Sequence, residues 1–94
     1  MNITDHYRQN PDCLVEDMDG ELLVFNPASA TTLHLNGSSA LVWQLSTGEH
    51  SLEEIIAGLQ QSYPQQAQQI EVDVLSVMVD FLDKAVLEKV EGEA

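Results

Sequence analysis

The sequence predicts an α+β fold in which a three-stranded antiparallel sheet is followed by three helices. Two patterns support this prediction. Short apolar runs separated by turn residues occupy the first third of the chain, as they do in antiparallel hairpins. The rest of the chain places apolar residues three and four positions apart, which is the spacing of amphipathic helices. The 94 residues suffice for one domain.

Three strands are predicted between residues 13 and 35. The apolar runs Cys13–Val15 and Leu22–Phe25 are separated by Asp19-Gly20, which is typical of a tight hairpin turn because glycine adopts a positive φ readily. Pro27 ends the second run, since proline cannot donate to a strand ladder. The third strand, Thr31–Leu35, alternates between two faces. One face carries Thr31, Leu33 and Leu35, and the other carries Thr32 and His34.

Capping residues mark the helices. Asn36 is a suitable N-cap for a first helix, which we expect Gly48 to close. Ser51 and Glu54 form a capping box at the start of a second helix that ends before Tyr63-Pro64. A third helix is predicted from about residue 67 to Ala85.

Domain boundaries follow from composition. The polar residues 1–10 are predicted to be a flexible lead-in, residues 11–88 a single domain, and residues 89–94 a frayed C-terminus.

The third helix carries more apolar surface than a small core needs. Its apolar residues form two adjacent stripes on a helical wheel. The first stripe can close the core, whereas the second needs another cover. That cover is the other two helices, a second copy of the chain, or a peptide from a partner. The first stripe contains Ile70, Val74, Val77, Met78, Phe81 and Ala85, and the second contains Val72, Leu75, Val79, Leu82 and Val86.

Charge excludes several classes of partner. Three basic residues, Arg8, Lys84 and Lys89, accompany sixteen acidic ones, and the net charge is −13. Because phosphate recognition needs clustered cations, we expect no nucleic-acid partner and no anionic membrane partner. A partner that carries compensating positive charge is favoured instead.

Motifs for catalysis, cofactors and metals are missing from the sequence. His6, His34 and His50 are scattered, and none stands at ligand spacing from Cys13. We therefore expect no enzymatic activity, no metal and no cofactor. A single cysteine permits no intrachain disulfide, and the chain begins without a secretory signal pattern, so a cytoplasmic location is expected.

The stretch from Leu22 to Leu87 resembles the PqqD-like family of peptide chaperones, also called RiPP recognition elements. The resemblance is carried by Leu22–Phe25, Leu33–Asn36, Ala40–Trp43, Gly48–Ile55, Asp73-Val74 and Phe81-Leu82, ending in Ala85–Leu87. Where the family often has glycine before the final apolar pair, this chain has Ala85.

This resemblance implies a winged helix-turn-helix-like domain that binds a peptide and not DNA. A leader segment of a ribosomally made precursor would add as a strand to the third predicted strand. The domain would then present the precursor to a modifying enzyme, often a radical S-adenosylmethionine enzyme. The implied peptide-binding residues are Thr31, Thr32, Leu33, His34 and Leu35 on the strand, and Leu75, Met78, Val79 and Leu82 on the third helix.

A rival interpretation keeps the same fold but changes the use of the apolar stripe. In that interpretation the chain is a self-associating structural or regulatory winged-helix protein, and the stripe is buried in a homodimer.

Overall fold

The computed structural model describes residues 2–91, which form six strands, three helices and one 3₁₀ turn. The strands are β1 (His6–Gln9), β2 (Leu14–Met18), β3 (Glu21–Asn26), β4 (Thr31–Leu35), β5 (Thr47–Ser51) and β6 (Leu87–Lys89). The helices are α1 (Gly37–Leu45), α2 (Leu52–Ser62) and α3 (Ala67–Asp83), and the 3₁₀ turn spans Pro64–Gln66.

Two antiparallel sheets replace the single sheet that the sequence predicts. One has the order β2-β3-β4 and matches the three predicted strands, and the other has the order β5-β1-β6. The strands of the second sheet come from the start, middle and end of the chain, so no local pattern signals their pairing. The mixed α/β content is therefore confirmed. The order of strands followed by helices is matched only roughly, because β5 lies between α1 and α2 and β6 follows α3, and the winged-helix arrangement stays a prediction.

β1 lies within residues 1–10, which the sequence predicts to be a flexible lead-in, and Met1 lies outside the described residues. β1 is the central strand of its sheet and pairs with both β5 and β6. Tyr7 is only 2% exposed and belongs to the core. Tyr7 supplies much of the apolar area of this four-residue strand. One apolar residue is too few to produce a recognisable alternation of apolar and polar positions.

The C-terminal boundary also differs. Lys89 lies in β6, and the Val90 amide donates to the His6 carbonyl oxygen at 2.9 Å, so the ordered ladder continues beyond the predicted end of the domain at residue 88. Residues 92–94 of the predicted frayed terminus lie outside the described residues.

The predicted hairpin turn and the second helix start are confirmed. Asp19 and Gly20 both have positive φ, as a two-residue turn between β2 and β3 requires. The Ser51 side chain accepts from the Glu54 amide at 3.2 Å, while the Glu54 carboxylate accepts from the Ser51 amide at 2.8 Å. α1 does not extend to Gly48, because its cap is Ser46 and Gly48 belongs to β5.

The core lies between the three helices and the inner face of β3 and β4, and Tyr7 of β1 and Leu87 of β6 add to it from the second sheet. Its largest fully buried side chains include Phe81, Leu52, Met78, Val24 and Val42. Trp43 is 4% exposed, and its indole donates to the Val86 carbonyl oxygen at 3.4 Å, which ties α1 to the chain after α3. This core fixes α3 relative to the sheet.

Candidate peptide-binding site

β4 is an edge strand. Within residues 2–91 it pairs with β3 alone, in a regular register from Asn26–Thr31 to Leu22–Leu35. An edge strand presents backbone N–H and C=O groups that another extended chain can pair with. The predicted pairing strand Thr31–Leu35 is thus confirmed as a sheet edge, and its use by a peptide remains a prediction.

The two faces of β4 differ in exposure. Leu35 is buried and Leu33 is half-buried on the inner face, whereas Thr32 and His34 are exposed on the outer face. The His34 Nε2 atom lies 2.6 Å from a carboxylate oxygen of Glu21 on β3. This contact orients the imidazole across the outer face of the sheet.

The second stripe of α3 is open along part of its length. Val72 is 62% exposed and Val79 is 58% exposed, while Leu75 and Leu82 are half-buried against the core. These four residues follow each other at spacings of three, four and three positions, so they share one side of the helix. The structure therefore confirms that the other helices leave this stripe partly uncovered.

Met78 does not belong to that open surface. Its side chain is 0% exposed and packs in the core with Val74 and Phe81. The sequence places Met78 in the first stripe, next to the second, and the structure buries Met78 in the core together with other residues of the first stripe. The reverse holds for Val72. The sequence places Val72 in the second stripe but not among the predicted site residues, and its exposure makes it part of the candidate surface.

Asn26 joins the two halves of the candidate site. It is 1% exposed and faces Thr31, the first residue of β4. Its side-chain amide lies 3.2 Å from the Lys84 carbonyl oxygen and 3.1 Å from that of Ala85, and it donates to both. Its Oδ1 atom accepts from the Ala28 amide at 3.1 Å. The start of β4 is thereby fixed beside the end of α3.

The end of α3 has a Schellman geometry with alanine in the left-handed position. The Val86 amide donates to the Phe81 carbonyl oxygen and the Ala85 amide to that of Leu82, at 3.1 and 3.2 Å. Ala85 has a φ of 59°, where glycine is favoured because a Cβ atom is strained there. The departure from the family pattern at Ala85 therefore changes the strain at the helix end and leaves its geometry intact.

A separate cleft of about 440 Å³ occupies another flank of α3. Val77 lines this cleft, and Val79 lies two residues further on, at about 200° around the helix. The two valines therefore point to nearly opposite sides. The cleft is a surface that the sequence does not predict, since its walls come from three helices: Gly37, Ser38, Leu41 and Val42 of α1, Leu59 of α2, Tyr63 and Gln66 of the connection, and Ile70, Asp73, Val74 and Val77 of α3.

Residues 2–91 contain one cysteine thiol and scattered histidine and acidic side chains. No group of three or more His, Cys, Asp or Glu side chains among them is arranged to hold a metal ion. Burial raises the pKa of the Cys13 thiol, and the nearby Asp12 and Glu88 carboxylates raise it further. A raised thiol pKa lowers the fraction of reactive thiolate. None of the helices in residues 2–91 has the length and apolar character needed to cross a membrane.

Comparison with known proteins places the chain in a family. The model of the family described as "Coenzyme PQQ synthesis protein D (PqqD)" matches residues 21–87, which is more than half of the chain. The protein therefore belongs to the PqqD family. The match begins at the first residue of β3, so it contains β4 and α3 and leaves out β1 and β2.

A solved structure shares the fold beyond the limits of the family match. It is that of TbiB1, determined in complex with the TbiA(beta) leader peptide. The two chains are 20% identical and superpose with a TM-score of 0.73, and the match covers 93% of this chain and 98% of TbiB1. No curated protein gives a significant match.

Proposed function

We propose that this protein binds the leader segment of a ribosomally made precursor peptide and presents the precursor to a modifying enzyme. The membership of the PqqD family and the fold shared with a leader-bound protein support this function. The observation that carries it is the combination of an open sheet edge, β4, with a partly uncovered apolar stripe on α3. Strand addition uses these two elements together, because main-chain bonds supply affinity and side-chain contacts supply specificity.

The leader is proposed to pair with the free edge of Thr31–Leu35 and to cover Leu75, Val79 and Leu82, with Val72 extending the same surface. Asn26 supports this arrangement, because it holds the start of β4 beside the end of α3. Met78 supports the stripe from beneath and is not proposed to touch the peptide. Covering Val79, at present 58% exposed, removes apolar area from water and favours binding.

Electrostatics favours a leader, or a docking surface on the enzyme, with positive charge. The sequence has no Lys or Arg between Arg8 and Lys84, a span that includes both β4 and all of α3. A field of one sign accelerates association with an oppositely charged partner and weakens at higher salt.

The proposed role is that of an adaptor without catalytic activity. Holding the leader near an enzyme converts the second binding step into a local one with a high effective concentration. A radical S-adenosylmethionine enzyme is the proposed class of partner, on the basis of the family resemblance, and the cytoplasm is the proposed location.

Calorimetry with a synthetic leader peptide from the precursor gene beside this one tests the proposal. We expect binding by the wild-type protein and a loss of at least tenfold in affinity for Val79→Glu. The control Gln61→Glu adds one negative charge at another exposed helical position and should leave the affinity within about twofold. No measurable binding, or equal binding by both variants, would contradict the proposal. Because Val79 is largely exposed, we expect Val79→Glu to remain folded, which circular dichroism checks.

Self-association is the competing use of the same stripe. The exposure of Val72 and Val79 is the observation that favours it. Light scattering over a concentration series separates the two functions: a tight dimer whose mass is unchanged by the leader supports self-association, and a monomer that binds the leader supports the adaptor.

A further inference from the structure

Within residues 2–91, the opposite edge of the same sheet has no paired strand either. The order β2-β3-β4 makes β2 the second edge, and all five of its residues are exposed. Three of them are large apolar residues: Leu14 is 64% exposed, Val15 46% and Met18 44%. The structure thus leaves apolar side chains and an unpaired backbone edge together on one strand.

The outer face of the sheet extends this apolar area from β2 onto β3. Leu14 lies opposite Phe25 and Glu16 opposite Leu23 in the β2–β3 ladder. Residues that face each other across an antiparallel pair point to the same side of the sheet. Since Leu23 and Phe25 are only half-buried, they continue the patch begun by Leu14 and Met18. We call these four residues with the free edge of β2 the β2 surface.

β2 lacks three of the features that commonly protect an edge strand, namely lysine, proline and a β-bulge. Exposed edges are blunted by these features or by other charged side chains. The sequence Leu14–Met18 contains neither lysine nor proline, and its register with β3 runs without a shift over all five pairs. Its two charged residues, Glu16 and Asp17, are both acidic.

The surrounding charge determines which partner can use this edge. Asp12, Asp19 and Glu21 add to the acids of β2, and residues 9–83 contain no Lys or Arg. An antiparallel pairing of two β2 strands would bring the acidic residues of both copies together. Like charges across a strand pair are destabilising, so a second copy is disfavoured. A partner strand that carries both apolar and basic side chains can cover the apolar patch on β2 and compensate the negative charge around it.

We propose that the β2 surface docks an extended segment of a partner protein in which apolar residues alternate with Lys or Arg. This segment adds as a strand to β2 and covers Leu14 and Met18. The inference goes beyond leader binding, because β2 and β4 are opposite edges of one sheet and β3 separates them. Both edges can therefore be occupied at once, which would join two partners through one continuous sheet.

Nuclear magnetic resonance titration of the full chain with a synthetic peptide of alternating valine and lysine tests this proposal. The comparison peptide has the same composition but clusters its lysines at one end. We expect the alternating peptide to shift the amide signals of Leu14–Met18 and to bind at least tenfold more tightly than the clustered one.

The variant Leu14→Glu/Met18→Glu separates docking from general charge attraction. Two added acids strengthen non-specific attraction to a cationic peptide, whereas docking on the apolar patch predicts at least a tenfold loss of affinity. Gln44→Glu/Gln61→Glu adds the same charge at exposed positions of α1 and α2 and should not weaken binding. If the glutamate variant does not fold, Leu14→Thr/Met18→Thr replaces it. Threonine removes the apolar contacts and is itself favourable in strands.

Several results would overturn the proposal. They are the absence of binding, shifts confined to Thr31–Leu35, unchanged or stronger binding by Leu14→Glu/Met18→Glu, and a wild-type dimer that this variant abolishes. Leader binding by the same variant is a separate readout, because it depends on β4 and α3. Absence of peptide docking at β2 would therefore leave the proposed leader binding at β4 intact. Absence of leader binding at β4 would likewise leave the proposal for β2 intact.

Discussion

The buried side-chain amide of Asn26 donates to the Ala85 carbonyl oxygen at 3.1 Å, and this contact joins the last residue of β3 to the end of α3. The two residues are separated by 59 positions in the sequence. A buried polar side chain with all of its groups paired specifies one arrangement of its neighbours. Asn26 thus sets the spacing between the two elements to which peptide binding is assigned.

Replacing Asn26 should therefore affect both stability and binding. Asn26→Ala removes the donor to two carbonyl oxygens and the acceptor for the Ala28 amide, and we expect the free energy of unfolding to fall by about 2 kcal/mol. Urea denaturation measures this change. The control is Asn10→Ala, because the half-buried Asn10 donates to the same Ala85 oxygen at 2.8 Å through a solvent-exposed hydrogen bond. A larger loss for Asn10→Ala than for Asn26→Ala would contradict this account.

Ala85→Gly should stabilise the protein. The left-handed conformation strains alanine, and glycine relieves that strain at some cost in unfolded-state entropy. We expect a gain of about 0.5–1 kcal/mol in the free energy of unfolding. The same substitution at Ala57, an exposed position inside α2, should instead cost about 1 kcal/mol. Thermal unfolding of both variants provides the comparison, and destabilisation by Ala85→Gly would show that the helix end is not strained.

Tyr7→Ala should be strongly destabilising even though it lies near the start of the chain. Tyr7 is 2% exposed in the central strand of β5-β1-β6, and truncating a buried aromatic residue costs about 3–5 kcal/mol. Arg8→Ala should change stability by less than about 1 kcal/mol, because its ion pair with Glu88 is solvent-exposed. Chemical denaturation of the two variants measures the difference. Equal, small effects would restore the flexible lead-in that the sequence predicts.

Glu54 should contribute a pH-dependent part of the stability. The Ser51 backbone amide donates to its carboxylate and lowers the pKa below its ordinary value of 4.5, with His50 adding to the effect. A lowered folded-state pKa gives stability that is present above the unfolded-state pKa and is lost as the pH falls through the folded-state value.

Glu54→Gln keeps the capping geometry but removes this titration. We expect the variant to be less stable than the wild type at neutral pH, with the difference disappearing in acid. Denaturation midpoints at neutral pH and at about pH 3 measure it. Glu53→Gln, a charge change in the same helical turn without the Ser51 contact, is the control. A constant difference between Glu54→Gln and the wild type at both pH values would contradict the assigned cause.

Local chemistry explains which parts of the fold the sequence predicts. Asp19-Gly20 specifies the β2–β3 turn and Ser51 with Glu54 specifies the start of α2, because turn and cap preferences act within a few residues. Local patterns do not predict the strand that contains Tyr7, since β1 is stabilised by strands that lie far along the chain. They also misplace Gly48, because its positive φ belongs to an irregular pairing of β5 with β1 and not to a helix end.

The candidate site was predictable in outline but not in detail. Alternation in Thr31–Leu35 and the wheel of α3 predict an edge strand and an uncovered stripe. Whether a residue at the margin of a stripe is covered depends on the neighbouring layers. For this reason the family resemblance implies a surface position for Met78, whereas its side chain lies in the core. The Asn26 contact and the cleft beside Val77 arise from tertiary packing alone, and no periodicity signals them.

Amide hydrogen exchange of β4 with and without the leader peptide tests strand addition most directly. A new strand protects the N–H groups that point away from β3, so we predict slower exchange at alternate residues within Thr31–Leu35 when the leader is bound. Protection confined to Leu14–Met18 or to the cleft around Val77, with β4 exchange unchanged, would contradict the account.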